Sequence, residues 1–217
     1  MNSRGACRTK DVPERKTVAG PSHQIGDRPR GDTQIGSDRR SPWILLGTRT
    51  VFDNPWFEVR VDDVINPGGG RNAYGKICFR NKAVGIIPLD RHGHTRLVGQ
   101  YRYTLNEYSW EIPMGGAPLG VDLLDAARRE LEEETGLRAA QWTRILRLHT
   151  SNSITDEEGF VYLAEDLKPG RQALEETEDI EIMELQLDDA FDMAIDGRIT
   201  DAISVAGLLA LARRLGG

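Results

Sequence analysis

The most constraining stretch of this chain runs from Gly115 to Leu137. A Gly/Pro-rich segment, Gly115-Gly-Ala-Pro-Leu-Gly120, leads into an uninterrupted helix pattern over Asp122–Thr135, and Gly136 supplies the stop. Leu123, Leu124, Ala127 and Leu131 make one apolar stripe. Glu130, Glu133 and Glu134 stand at i, i+3 and i+4, so their carboxylates share one face. By the 3.6-residue period that face lies roughly a quarter turn from the apolar stripe. The acids therefore border the buried side of the helix, where they can line a cleft beside the core. Clustered carboxylates repel one another. They are tolerated as a solvated helix face, with Arg128–Glu132 and Arg129–Glu133 as ordinary i, i+4 pairs, or they serve as oxygen ligands for a hard divalent cation.

The surrounding pattern is predicted to be a strand-rich α/β domain. Val51–Val64 mixes aromatic and β-branched residues as a strand does, and Asn66–Gly70 is a turn. Tyr74–Leu89 reads as a strand, the turn Asp90–His94 follows, and Arg96–Arg102 reads as its returning partner. Trp110–Pro113 is a short strand closed by proline. Arg144–Thr150 and Phe160–Ala164 are strands joined by a polar loop, and Ile180–Leu185 is another. Leu187–Ile195 and Asp201–Leu215 are predicted helices. Strands, one helix, more strands and then helices fit a mixed sheet packed between helices better than a regularly alternating fold.

Charge and cysteine content narrow the function. The chain holds 28 Lys/Arg against 34 Asp/Glu, net −6, yet residues 1–42 carry nine basic against five acidic residues, so the body is more acidic than the whole. An acidic body repels nucleic-acid backbones. It accepts an anionic substrate only where a cation screens the charge. Residues 1–42 lack apolar periodicity and are expected to be a disordered extension, with the folded domain over 43–217. Two cysteines, Cys7 and Cys78, build no disulfide framework, which indicates a reducing, cytoplasmic setting. The apolar stretch Ile203–Ala212 is far shorter than the roughly 20 residues that span a bilayer.

The Gly115–Leu137 segment resembles the Nudix box, GX5EX7REUXEEXGU, with U a bulky aliphatic residue. Gly115, Arg129, Glu130, Leu131, Glu133, Glu134, Gly136 and Leu137 fall on the pattern. One position departs: the glutamate expected six residues after Gly115 is Val121. In the family that glutamate supports the box arginine, a contact that Asp125, four residues before Arg129, is placed to take over in part. Val98-Gly-Gln-Tyr-Arg102, Trp110-Glu-Ile-Pro-Met-Gly115, Thr155–Glu158 and Gly197–Ile203 look like the ADP-ribose and nucleotide-sugar pyrophosphatase branch of Nudix hydrolases.

The resemblance implies a Nudix fold, an α/β/α sandwich (α+β) with a mixed central sheet. It implies hydrolysis of the pyrophosphate link in a nucleoside diphosphate joined to a sugar, with Mg²⁺ or Mn²⁺ as cofactor. Glu130 and Glu134 are the expected metal ligands, Glu133 a third ligand or the residue that positions a water, and the Met114 carbonyl a further ligand. Glu157, with Glu158 next in line, is the loop acid expected to serve as base or added ligand. Arg102 and Glu111 are expected to contact substrate, unless they merely pair across adjacent strands. Arg129, Gly115 and Gly136 are structural. His92 and His94 read as solvent-exposed, and Trp43, Trp56 and Trp142 as packing residues, Trp56 also as a dimer contact. The partners implied are a small-molecule nucleoside diphosphate sugar and a second copy of the chain in a homodimer, with neither nucleic acid nor membrane. The alternatives are a non-catalytic nucleotide-sugar-sensing Nudix domain, or an enzyme for nucleoside triphosphates or dinucleoside polyphosphates. The three retained carboxylates speak against the sensor, and the flanking motifs against the other substrates.

Overall fold

The computed structural model describes residues 40–174 and 179–216. The expectation for the N-terminal extension falls almost wholly outside these residues. In chain order the elements are β1 (Ile44–Asp53), β2 (Phe57–Ile65), β3 (Arg71–Phe79), β4 (Asn81–Pro88), β5 (His94–Arg102), β6 (Glu107–Glu111), β7 (Met114–Pro118), α1 (Leu123–Thr135), β8 (Leu137–His149), β9 (Glu158–Pro169), β10 (Glu181–Gln186), α2 (Leu187–Asp196) and α3 (Ala202–Leu215). They form sheets of order β1-β2-β3, β10-β5-β6 and β7-β4-β9-β8.

The four-stranded sheet is the centre. Its β4 and β9 run parallel from Ala83 opposite Gly159 to Pro88 opposite Ala164, while β7 and β8 are antiparallel to their neighbours. Side chains alternate faces along a strand. Phe160, Tyr162 and Ala164 therefore join Val84 and Ile86 against Ala126, Ala127 and Leu131 of α1. Val161, Leu163 and Ile87 point the other way, into a core shared with Ala190 and Met193 of α2 and Ile203, Leu208 and Leu211 of α3. Helices on both faces make this the expected α/β/α sandwich, and they explain why Val84–Leu89 and Phe160–Ala164 are nearly continuous apolar runs rather than alternating ones.

Short-range chemistry sets the helix that carries the acids. Asp122 caps α1, its carboxylate accepting from the N–H groups of Leu124 (2.9 Å) and Asp125 (3.1 Å). Gly136 ends it at φ 65°, a left-handed conformation that favours glycine, and donates its N–H to the Glu132 carbonyl.

Several expected boundaries differ. The strand read over Val51–Val64 is two strands, because Asn54 Oδ1 accepts from the N–H groups of Trp56 (2.9 Å) and Phe57 (2.8 Å) and turns the chain. The strand read over Tyr74–Leu89 breaks at Arg80, with β3 paired to β2 and β4 in another sheet. The turn at Asp90–Gly93 forms, but β5 does not return along β4. Both edges of β4 are taken by β7 and β9, so β5 pairs with β6 and β10. The Gly115-Gly116 segment, read as loop, is strand β7, with Gly85 opposite Met114.

Candidate active site

Helix α1 turns its acidic face inward. Glu130 and Glu134, one turn apart, are only 6% and 1% exposed, while Glu133 is half-buried. A buried carboxylate needs partners. Glu134 Oε2 accepts from the Met114 N–H at 2.8 Å, which ties α1 to the start of β7. Glu130 lies against Gly115: a Cβ there would stand 2.1 Å from the Glu130 carboxyl carbon. The two glycines of β7 thus remove side chains where Glu130, and on the neighbouring strand Asn81, come close.

Arg129 binds the acids together. Its guanidinium donates to Glu133 (2.7 Å), to Glu130 (2.6 Å) and to the Gly116 carbonyl (3.0 Å). Burial lowers its pKa, but Glu130 and Glu133 outweigh that and hold it above its ordinary value. This corrects the expectation for Asp125, which pairs with Arg128 instead at 2.9 Å. Glu132 reaches Arg138 (2.7 Å) rather than Arg128. The arginine of the box is thus supported by its own acids and a β7 carbonyl, and the site has no need of a carboxylate at Val121 to orient it.

Arg102, from the end of β5, forms a two-pronged ion pair with Glu111, at the end of β6 and 3% exposed. Glu111 raises the Arg102 pKa, burial opposes it, and Asp201 and Glu134 add to the rise. Arg102 is thus held by the Glu111 carboxylate. The two residues make the cross-strand pair that the sequence left as one of its readings.

The loop before β9 is docked on β3. Ile77 donates to the Ile154 carbonyl (2.9 Å), Phe79 to Asp156 Oδ1 (2.8 Å), and the Tyr74 hydroxyl to the Ser153 carbonyl (2.6 Å). Glu157 accepts from the Thr150 hydroxyl at 2.5 Å. Both oxygens of Glu158 are taken, one by Lys82 and one by Arg147, and Lys82 above all holds its pKa below the ordinary value. Glu158 is thus held in two ion pairs, whereas Glu157 is bonded by a hydroxyl.

His94 lies 3.5 Å from Asp90 and 2.7 Å from the Gln186 amide, and His92 bonds Arg91, so the two histidines do not converge. Trp142 packs edge-on against Tyr162, while Trp56 is largely exposed, against the packing role read for it. A cavity of about 660 Å³ opens beyond the Pro88 end of β4, between Leu89–His92 and Glu165–Lys168, and none of the box residues line it. Sequence reasoning missed Asp201 and Ser204. The signals available for Asp201 were its place as first residue of a predicted helix and within the Gly197–Ile203 stretch. Nothing local ties either residue to the box.

The donors at α1 and β7 are all oxygens, which suits a hard divalent cation. Among the described residues no three His, Cys, Asp or Glu side chains form a ready-made metal cluster, and Arg129 engages Glu130 and Glu133.

A mixed sheet between helices, with a glycine-lined strand feeding a helix whose buried face carries paired glutamates, defines a Nudix hydrolase, and the chain belongs to that family. The NUDIX domain model matches residues 79–203, and a model described as the nucleoside diphosphate sugar hydrolase N-terminal domain matches residues 43–77. The second match covers β1, β2 and most of β3. The chain is 33% identical to an ADP-ribose pyrophosphatase of Mycobacterium tuberculosis, across 76% of this chain and 81% of that protein. It is also 33% identical to an ADP-ribose pyrophosphatase of Bacillus subtilis, across 72% of this chain and 85% of that one. A crystal structure of an ADP compounds hydrolase superposes with a TM-score of 0.74 at 25% identity, covering 83% of this chain and 98% of the other. The chain is a pyrophosphohydrolase.

Proposed function

We propose that this enzyme hydrolyses ADP-ribose or a related nucleotide sugar to a nucleoside monophosphate and a sugar phosphate, with Mg²⁺ as its metal and Mn²⁺ as a substitute. The observation that carries the reading is the burial of Glu130 and Glu134 on one face of α1, against Gly115 and the Met114 N–H. The names of the relatives, ADP-ribose pyrophosphatase and ADP compounds hydrolase, support the substrate class.

Glu130 and Glu134, with the Met114 carbonyl and Glu133, would hold the metal. When bound, the cation screens the diphosphate, acidifies a water and stabilises the leaving phosphate. Glu157 takes the proton. Arg102, fixed by Glu111, directs its remaining positive potential at the substrate. Arg129, Gly115 and Gly136 keep the helix and strand in register.

The enzyme works as a homodimer in the cytoplasm. Strand β1 is exposed along its whole length, and Ile44, Leu45, Leu46, Val51 and Phe52 on it are largely uncovered, as is Trp43 just before it. An apolar strand of that kind marks a surface for a second copy. The free, buried thiol of Cys78 supports the reducing compartment. Light scattering of the full chain should give twice the chain mass, and Phe52→Asp should shift it toward the monomer. A panel of ADP-ribose, GDP-mannose, UDP-glucose, NADH and nucleoside triphosphates with Mg²⁺ tests the substrate. Monophosphate release from the sugar-linked diphosphates is expected, and preference for triphosphates would overturn the reading.

A further inference from the structure

The segment Glu111–Met114 joins the two halves of the site, since it carries the carboxylate that fixes Arg102 and the backbone that meets Glu134. Its ends lie in the β5–β6 and β4–β7 ladders and Arg102 holds the Glu111 side chain; three further hydrogen bonds fix what lies between. The Met114 N–H donates to Glu134 (2.8 Å), the Pro113 carbonyl accepts from the Ile86 N–H (2.8 Å), and the Ile112 N–H donates to Ser204 Oγ at 3.0 Å. The third bond reaches across to α3, far along the chain and outside every box residue.

Ser204 is fully buried, and its hydroxyl has a forced direction. An N–H can only donate, so Oγ accepts from Ile112 and its one hydrogen is left for Asp201 Oδ2, at 2.8 Å. The same Asp201 oxygen accepts from the Ser204 N–H at 2.7 Å and caps α3. Capping needs only that N–H. The hydroxyl makes a second link, from the helix cap to the site segment. Close packing reinforces it: Gly85 and Gly159 have no side chains where Ile112 and Ile203 press on the sheet.

We propose that Ser204, oriented by Asp201, is a positioning residue for hydrolysis: through the Ile112 N–H it sets where the Glu111 side chain and the Met114 backbone stand relative to the carboxylates of α1. The proposal rests on the reading of Glu111, Met114 and Glu134 as site residues. Without the Ser204 bond the Ile112 N–H loses its side-chain anchor between the two ladders, and displacements of about 1 Å suffice to slow a reaction by up to about 10²-fold. Asp201 also helps raise the pKa of Arg102, the partner of Glu111 at the start of the segment.

The test compares full-length wild type, Ser204→Ala, Asp201→Asn and a core control, Ile145→Val, by ADP-ribose turnover, melting temperature and hydrogen exchange of the peptide spanning residues 107–114. Ser204→Ala should exchange faster in that peptide, lose roughly 10-fold in kcat, and need more Mg²⁺ for half-maximal rate. Ile145→Val should melt lower with kcat unchanged. Asp201→Asn keeps an oxygen for the cap and should show a smaller loss of the same kind; it stands in if Ser204→Ala does not fold. Unchanged exchange, or faster exchange with unchanged kcat, would overturn the proposal. An inert wild type would overturn the proposed function instead, and the exchange of the 107–114 peptide would then decide alone whether Ser204 holds the segment.

Discussion

The Glu130 carboxylate occupies the space that a side chain on Gly115 would fill. Glycine is needed there for close approach and not for an unusual backbone angle, since Gly115 sits within the regular ladder of β7 opposite Val84. Gly115→Ala should therefore leave the fold intact, with stability changed by no more than about 1 kcal/mol, because the obstructed group is the far end of a flexible chain. Turnover should fall at least about 10-fold, since the carboxylate is pushed from its place. Side-by-side melting curves and rates check this, and a variant that melts normally and turns over normally would separate Glu130 from the chemistry.

Chelation and Glu134→Gln address the metal. EDTA should abolish activity, and excess Mg²⁺ or Mn²⁺ should restore it. Glu134→Gln keeps an oxygen to accept the Met114 N–H but removes the charge, so kcat should drop about 10²–10⁴-fold while the melting temperature holds or rises. Undiminished turnover in chelator would refute the metal mechanism.

The Arg102–Glu111 pair has a lopsided dependence on its partners. Glu111 is almost wholly buried, and the Arg102 head is about one-third exposed (35%). Arg102→Ala strands a buried carboxylate and should cost about 2–3 kcal/mol, less than for a fully buried pair because water reaches the guanidinium site. Glu111→Gln should be milder for stability. Both should raise KM for the substrate. Urea unfolding together with Michaelis–Menten curves measures the two effects separately.

The loop acids should behave oppositely. Glu157→Gln should lower kcat by about 10²-fold or more. Glu158→Gln removes the partner of Lys82 and Arg147, so it should reduce the melting temperature while turnover stays within about 3-fold. Equal kinetic losses in the two variants would contradict the assignment of the base.

Acid sensitivity has a source in the N-terminal sheet. Asp62 pairs with Lys76 at 2.5 Å and accepts from the Thr48 hydroxyl at 2.7 Å, and Lys76 first, then Thr48, holds its pKa below the ordinary value. A depressed folded-state pKa contributes stability that is present above the unfolded value of about 3.9 and lost as pH falls through the folded value. Asp62→Asn should thus melt about 2–4 °C lower at pH 7, and the gap should close below about pH 4. Melting curves from pH 7 to pH 3 test the sign.

Much of this molecule was legible in the chain because its information is local. The helix over Asp122–Thr135, its cap, its stop and its shared carboxylate face follow from spacing within one element, and the box identities follow from the same stretch. The sandwich was legible too, since runs such as Phe160–Ala164 are apolar on both faces only when both are covered. Strand partners were not legible. Whether β5 returns along β4 depends on what else occupies the edges of β4, and β7 and β9 are distant in sequence. For the same reason Gly115-Gly116 looked like loop: a strand whose side chains are absent to admit a neighbour has no alternation to read.

Ion pairing was likewise decided in three dimensions. Sequence spacing allowed Arg129 to meet Asp125 or Glu133, and the choice fell to Glu133, Glu130 and the Gly116 carbonyl because β7 stands on that side of the helix. The sequence resemblance ranked Glu157 ahead of its neighbour Glu158 but gave no physical reason for it. They differ because successive residues point to opposite sides, and only one side faces Lys82 and Arg147. The sequence alone determined which residue types the site contains, since a carboxylate face is a property of helical period. Tertiary structure decided which of those residues are buried, paired or available, because burial and partnership depend on elements that meet only when the chain is folded, as Ser204 of α3 meets Ile112.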